Sequence, residues 1–377
     1  MKVTVALLLA TALSCSATSS TDDRIIGDPS ATAIAIVDVT VIPMDRERVL
    51  SSQTVLIDNG RIAAIGAVSD VAVPANALRV DGKGKYLMPA LIDMHVHIRS
   101  ADLDKYLSNG VTTVRNMWGY ESLPAVMQDI DAGRRTGPKI YSLTAGFDGS
   151  PATWPETQFS DDPSKIEPLV DHQYALGFRE IKMYQKLSRA AYDTIVAIAH
   201  RKGMTFAGHV PTLVGLDHVL ESGQRSVEHL GGYATGSQLN AQVAATVKAG
   251  TYVCPTLAIQ EMLNTSSRSA DLRAITGALY RGGAKLLVGT DSGIDRTQPG
   301  TSIHDELALF VKSGVAPFDA LRGATTTAAE YLGQSASIGT VAVGKEADLL
   351  LLRANPLSDI SATNKIAAVL NNGRFVQ

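Results

Sequence analysis

Six residues of this chain have types and spacings that suit a metal ion: His95 and His97 in LIDMHVHI, Lys182 in EIKMY, His209 in AGHV, His229 in VEHL and Asp291 in VGTD. His95 and His97 flank Val96, and in a strand the period-two alternation turns both imidazoles to one side. Two neutral imidazoles so placed can hold one cation, which would polarise a carbonyl and activate water. His209, His229 and Asp291 each close a further short apolar run. The chain has 8 histidines; His172, His200 and His218 fall inside helical stretches and need only a surface or packing explanation. Four of the other five end strands. Lys182 is of another kind. Alternation through EIKMY sends Ile181 and Met183 one way and Glu180, Lys182 and Tyr184 the other, toward the interior. Burial lowers the pKa of a lysine, and its neutral amine can add carbon dioxide to become a carbamate that bridges two cations. A structural lysine, paired with Glu180 or with a substrate anion, is the other reading these residues leave open.

The elements that must gather these side chains form a repeating pattern over residues 89–336. A helical stretch ends at glycine, and an apolar run of four to six residues follows: Gly110 before VTTV, Gly137 before KIYSL, Gly177 before EIKMY, Gly203 before TFAGHV, Gly223 before SVEHL, Gly250 before YVCPTL and Gly283 before KLLVGTD. Glycine suits the left-handed position that closes a helix. With the opening strand LMPALIDMHVHI, the alternation predicts a (β/α)8 TIM barrel, and its strand C-termini are where such barrels carry their sites. A doubly wound open sheet is the alternative. The long loop Ala145–Lys165 follows strand three and is expected on the active rim as a lid. Residues 33–88 and 337–377 read instead as antiparallel β, with Asn59-Gly60 and Asn372-Gly373 as hairpin turns. The two segments are expected to form one small β-sandwich domain.

Composition sets outer bounds. The 377 residues are 45% hydrophobic and 19% charged, ordinary for a globular enzyme, and a formal net charge of -3 gives no reason to expect a nucleic-acid partner. A small-molecule substrate is expected. Residues 1–20 read as a secretory signal: Lys2, an apolar run to Leu13, then small and polar residues. Ala10-Thr11-Ala12 suits a cleavage site, while Ala12-Leu13-Ser14-Cys15 resembles a lipobox with Ala where Leu is usual. The second is preferred, giving a secreted or periplasmic protein tethered to a bacterial membrane through lipidated Cys15. The other cysteine, Cys254, lies in an apolar run, so neither a disulfide nor a thiolate metal site is expected.

LMPALIDMHVHI, EIKMY, AGHVP, VEHL, VGTDSG and the terminal GKEADLLLL resemble the motifs of the amidohydrolase superfamily over nearly all of the chain beyond the leader. The pattern is most similar to its imidazolonepropionase-like and metal-dependent dipeptidase (prolidase-like) branch. That resemblance implies two zinc ions, the first held by His95, His97 and Asp291 and the second by His209 and His229. It also implies Lys182 as N6-carboxylysine bridging them with a hydroxide, and Asp291 as the residue that moves the proton. Ala90 stands where the family usually has glycine, and Asn116 where related sequences often carry Asp; neither is a metal ligand. The function expected is hydrolysis of an amide in a dipeptide, an N-acyl amino acid or a cyclic amide. One alternative is a single-metal ring-opening hydrolase or deaminase of a heterocycle, and another is a secreted ligand-binding protein without turnover. Loop positions suggest Tyr233, His304, Arg115 and Tyr184 as substrate contacts, and Glu306 as a helix N-terminal carboxylate.

Overall fold

LIDMHV is apolar apart from Asp93 and His95, as befits a strand covered on both faces, and every residue of the strand Leu91–Val96 is buried. In the computed structural model, which describes residues 25–26, 33–154, 157–159, 162–294 and 297–376, this strand starts a series of parallel pairings. The leader and Cys15 lie outside the described residues. Leu91–Val96, Val111–Asn116 and Lys139–Ser142 form a three-stranded parallel sheet. Gly146–Asp148, Glu180–Met183, Thr205–Gly208, Ser226–Glu228 and Tyr252–Cys254, with Gln158–Phe159 outside Gly146–Asp148, form a six-stranded one, also parallel. Helices connect successive strands, among them Leu123–Asp131, Arg189–Lys202, Leu239–Ala249 and Ser266–Arg281. The protein is thus α/β with parallel sheets.

Single backbone bonds link the two sheets. Thr144 N donates to Glu180 O (2.9 Å), Leu287 N to Val253 O (2.9 Å), Met94 N to Val288 O (2.9 Å) and Asp291 N to His95 O (2.7 Å). The expected eighth strand, KLLVGTD, contributes isolated bridges at Leu286 and Ser292 instead of a continuous ladder, so the pairings are not one closed sheet. The helix caps hold one surprise. Gly203 and Gly250 close their helices at φ 63° and 68°, but the helix Leu123–Asp131 is followed by the left-handed turn at Gly133 (φ 68°), upstream of the expected Gly137.

The flanking segments build a nine-stranded sheet. Both Asn-Gly pairs turn as expected, with Asn59 and Gly60 at φ 49° and 77° and Asn372 and Gly373 at φ 51° and 70°, the geometry of a tight hairpin. The expectation of purely antiparallel pairing needs correction. Ala33–Val41 pairs antiparallel with Leu50–Asp58 but parallel with Leu78–Asp81 and Tyr86–Pro89. Hydrogen bonds join strands of both flanking segments into one branched sheet. The strand Leu349–Leu352 is buried on both faces. Leu349 and Leu351 enter the cluster of Ile36, Val55 and Ile57, while Leu350 and Leu352 enter the large cluster of the parallel sheets. No described helix is long and apolar enough to cross a membrane.

The loop Ala145–Lys165 is anchored at its start. Its first part, Gly146–Asp148, is a strand paired with Glu180–Met183, and Lys186 N donates to Asp148 Oδ1 (2.6 Å). Glu306 also departs from expectation: it serves a neighbouring helix, not its own. Buried in the helix Ser302–Lys312, it accepts from Leu257 N (2.9 Å) and Ala258 N (2.6 Å), the first turn of Leu257–Leu263. Those donors have no partner within their helix. Glu306→Ala strands them in the interior and should lower stability by about 2–3 kcal/mol, read as a lower urea midpoint with unchanged slope.

Candidate metal centre

Six side chains from separate segments meet where the parallel strands end. His95 and His97 come from Leu91–Val96 and the residue after it, and Lys182 from Glu180–Met183. His209 and His229 directly follow Thr205–Gly208 and Ser226–Glu228, and Asp291 lies beyond Leu286. The ring centroids run His97 to His95 at 5.6 Å, His95 to His229 at 4.7 Å and His229 to His209 at 4.6 Å. Asp291 Oδ1 lies 2.9 Å from His97 Nε2 and 3.3 Å from His95 Nε2, and Asp291 Oδ2 lies 3.9 Å from His229 Nδ1. His95, His97 and Asp291 can each offer a ligand atom, all within 4.8 Å of one another.

Whether a cation suits this cluster can be judged from its unsatisfied atoms. His95 Nε2, Lys182 Nζ, His209 Nδ1 and Asp291 Oδ1 are buried and have no hydrogen-bond partner. An unpaired polar atom away from water costs about 1–3 kcal/mol; Lys182 Nζ and His209 Nδ1 lack any hydrogen-bond partner, while His95 Nε2 and Asp291 Oδ1 have only each other and His97 at ion-pair distance, an arrangement that metal coordination would satisfy. The donor set of imidazole nitrogens and a carboxylate oxygen is that of zinc and its neighbours. Electrostatics agree. Desolvation holds His95 and His209 well below the usual imidazole range, assisted by the Lys182 charge, and lowers His229 as well. All three shifts favour the neutral imidazole, the form that can ligate a metal. Burial opposes ionisation of Asp291, but His95, His97 and His229 outweigh it and hold the carboxyl far below its ordinary value. Lys182, fully buried, is pushed down by desolvation to about 8, with Glu228 and Asp291 pulling the other way.

His95 is oriented by a residue that the sequence reading quoted in VEHL but did not single out. Glu228 Oε2 lies 2.7 Å from His95 Nδ1, while Oε1 pairs with Arg115 Nη2 at 2.7 Å and with Ser226 Oγ. A carboxylate there fixes Nδ1 as the protonated nitrogen and leaves Nε2 for a metal. Strict alternation would place Glu228 and His229 on opposite sides. The backbone at His229 is left-handed (φ 62°), and this turn lets both neighbours reach His95. Asp291 is also left-handed (φ 57°), and a non-glycine residue held so marks a position fixed by its surroundings. Thr256 Oγ1, again on a left-handed residue (φ 51°), meets His229 Nδ1 at 2.7 Å. Asp93 fastens the turn before Asp291, accepting from Thr290 Oγ1 (2.7 Å) and Thr290 N (3.0 Å).

Of the four expected substrate contacts, one lies at the centre. The Tyr184 ring lies tilted against that of His209, with centroids 4.2 Å apart. Arg115 must be corrected: its guanidinium is buried against Met94 O (2.6 Å), Ser226 Oγ (2.9 Å) and Glu228, because a charge inside the strands needs all its donors satisfied. Tyr233 directs its hydroxyl to Thr246 Oγ1 (2.7 Å) and is buried. His304, in Ser302–Lys312, meets Thr363 Oγ1 (3.0 Å) in the C-terminal segment. His172 and His218 pair with Glu121 and Asp193 on the surface, as a packing role requires.

Glu228→Gln removes the charge that Arg115 and His95 share. It should weaken metal retention about 10–100-fold, the usual effect of losing a residue that orients a ligand. Competition with a chromogenic chelator measures this, and an unchanged affinity would contradict the role assigned to Glu228.

Comparison with known proteins places this geometry in a family. Residues 86–376 match the Amidohydrolase family. The chain is 26% identical over 85% of its length to an adenine deaminase of Listeria monocytogenes, covering 54% of that protein, so it spans about half the length of the deaminases it matches. It is 25% identical to the ochratoxinase of Aspergillus niger, over 87% of this chain and 83% of that one. Among solved structures, a candidate prolidase of Bifidobacterium longum superposes with a TM-score of 0.79 at 25% identity, covering 93% of this chain and 95% of the other. The matched span contains all six residues of the cluster, and the chain belongs to the amidohydrolase family.

Proposed function

We propose that this protein is a metal-dependent hydrolase of carbon–nitrogen bonds, acting on an amide in a dipeptide, an N-acyl amino acid or a cyclic amide. The observation that carries the reading is the convergence of four buried atoms that make no satisfactory hydrogen bond, His95 Nε2, Lys182 Nζ, His209 Nδ1 and Asp291 Oδ1. His95, His97 and Asp291 would hold one zinc ion, and His209 and His229 a second, with Lys182 as N6-carboxylysine between them. The backbone bonds that link the two parallel sheets support reading the scaffold as a (β/α)8 barrel. The family match and the ochratoxinase and prolidase likenesses support the same class of reaction.

The metal, when bound, supplies Lewis acidity to a carbonyl and makes water a nucleophile near neutral pH. The protein's own part is positional. Glu228 keeps the His95 ring in one tautomer, and Thr256 restrains His229. Asp291, held ionised, is the group able to take a proton from water and deliver it to the departing amine. Thr144 Oγ1 accepts from Lys182 N (3.0 Å) and sets the strand that presents the amine. The Lys182 ammonium would first lose one proton, and its neutral amine would then add carbon dioxide with loss of a second, so that a buried cation is exchanged for a carbamate anion.

The adenine deaminase likeness favours a second reading, with one ion at His95, His97 and Asp291, an unmodified Lys182 and deamination of a heterocycle. Metal content separates the two. Protein grown with zinc and bicarbonate is expected to carry two zinc ions per chain and to cleave members of a dipeptide library, and Lys182→Ala should retain one ion or none. One ion per chain, with heterocycle deamination and no amide cleavage, would establish the second reading. Asp291→Asn should lower kcat by about 10²–10⁴-fold, as loss of a proton-transfer group does.

A further inference from the structure

Beside the histidine cluster stands a wall of aromatic rings that metal binding does not use. Trp118, two residues beyond Val111–Asn116, lies 6.4 Å from the His97 ring and meets Tyr184 edge-on at 5.4 Å. Tyr184 lies 4.2 Å from His209 at its other side. Trp154, from the loop after Lys139–Ser142, donates its Nε1–H to the Tyr184 hydroxyl (2.7 Å). The rings thus continue outward from two of the metal-binding imidazoles.

Their positions are built in. Gly146 has no Cβ, and one placed there would collide with the Trp118 indole. Three backbone and side-chain bonds strap the Trp154 loop to the end of Glu180–Met183: Tyr184 N to Phe147 O (2.9 Å), Lys186 N to Asp148 Oδ1 (2.6 Å) and Lys186 Nζ to Pro151 O (2.6 Å). The same bonds occupy two charged residues in the described part of this loop and the strand end. Lys186 is spent on a carbonyl, and Asp148 on Lys186 N and on Thr153 N (3.2 Å) and Oγ1 (2.8 Å). The indole N–H of Trp154 is satisfied, yet 44% of the residue is exposed. What the wall offers a ligand is ring face. A partly exposed indole whose N–H is already bonded gains most from an offset or edge-on partner ring. A cationic substituent would instead share the pocket with the metal ions.

We propose that Trp154, Tyr184 and Trp118 form a substrate subsite that selects amides bearing a planar, uncharged ring next to the scissile bond. The proposal rests on the hydrolase reading and narrows its substrate class. Aromatic contact and burial of one ring together should favour such a substrate by about thirtyfold in kcat/KM.

The test uses the zinc-loaded full chain and matched substrates: N-acetyl-phenylalanine, N-benzoyl-alanine, N-acetyl-alanine, N-acetyl-aspartate and N-acetyl-lysine. At least one of the two ring-bearing substrates should exceed N-acetyl-alanine about thirtyfold, and the two charged ones should not. Trp154→Ala should reduce that preference to about threefold or less, whereas Trp154→Phe, which keeps a ring face, should retain most of it. Equal loss on every substrate in Trp154→Ala, or a wild-type preference for the charged substrates, overturns the subsite. Binding is read independently from quenching of indole fluorescence by benzylphosphonate and by methylphosphonate. If nothing in the panel is turned over, the hydrolase reading falls and the phosphonates decide the subsite alone. Binding of benzylphosphonate about tenfold tighter than methylphosphonate, lost in Trp154→Ala, upholds it; equal affinities refute it.

Discussion

A carboxylate buried without solvent, Glu228, is the constraint around which the centre is arranged. It is wholly enclosed, and its ionised form persists because Arg115 and Lys182 outweigh the cost of desolvation. Breaking such a pair by removing one partner typically costs about 3–5 kcal/mol. Each group in the chain therefore limits the next. Arg115 is anchored by Met94 O and lies 4.6 Å from the centre of the Tyr331 ring. Tyr331 in turn donates to Glu180 (2.7 Å), which pairs with Arg225 (3.2 Å). A column of alternating charge fills the interior beneath the histidines, where an apolar core would otherwise pack, and it ends on a single imidazole nitrogen.

The parts of this arrangement that could be read from the sequence were those with a fixed period. His95 and His97 are separated by one residue, and glycine followed by a short apolar run marked successive strands, so strand ends could be named. Both Asn-Gly turns carried their own conformational demand and formed as expected. What escaped reading was set by contacts between distant segments. Arg115 has the alternation of an interior residue, but its role depended on Glu228, and Glu228 was hidden by the left-handed turn at His229 that breaks the two-residue rule. Tyr233 and His304 lie on or near the loops that sequence spacing suggests, but the direction of a hydroxyl or imidazole follows from neighbours such as Thr246 and Thr363. The aromatic wall was equally silent, because Trp118, Trp154 and Tyr184 come from three different connections.

Rigidity is distributed unevenly around the centre. The histidines and Asp291 sit on strand ends tied by backbone bonds, and three of the local residues, His229, Thr256 and Asp291, are held in a conformation that disfavours side chains. That strain is borne by partners outside the metal set: Thr290 and Asp93 around Asp291, and Glu306 behind Thr256. A centre supported in this way is ordered before any ligand arrives, which reduces the reorganisation needed when charge develops in a reaction.

The strand Leu349–Leu352 sets a timetable for the chain. It is the seam between the two clusters and pairs directly with Tyr86–Pro89, so the nine-stranded sheet lacks its middle until residues 349–352 have been made. At ordinary rates of synthesis, the interval between the two strands is on the order of tens of seconds. Throughout it, Ile36, Val55, Ile57 and the edge of Tyr86–Pro89 have no cover from the C-terminal segment. The nascent protein therefore depends on staying soluble while its first-made strands wait, and truncation before Leu349 would leave an adhesive edge on the part already formed.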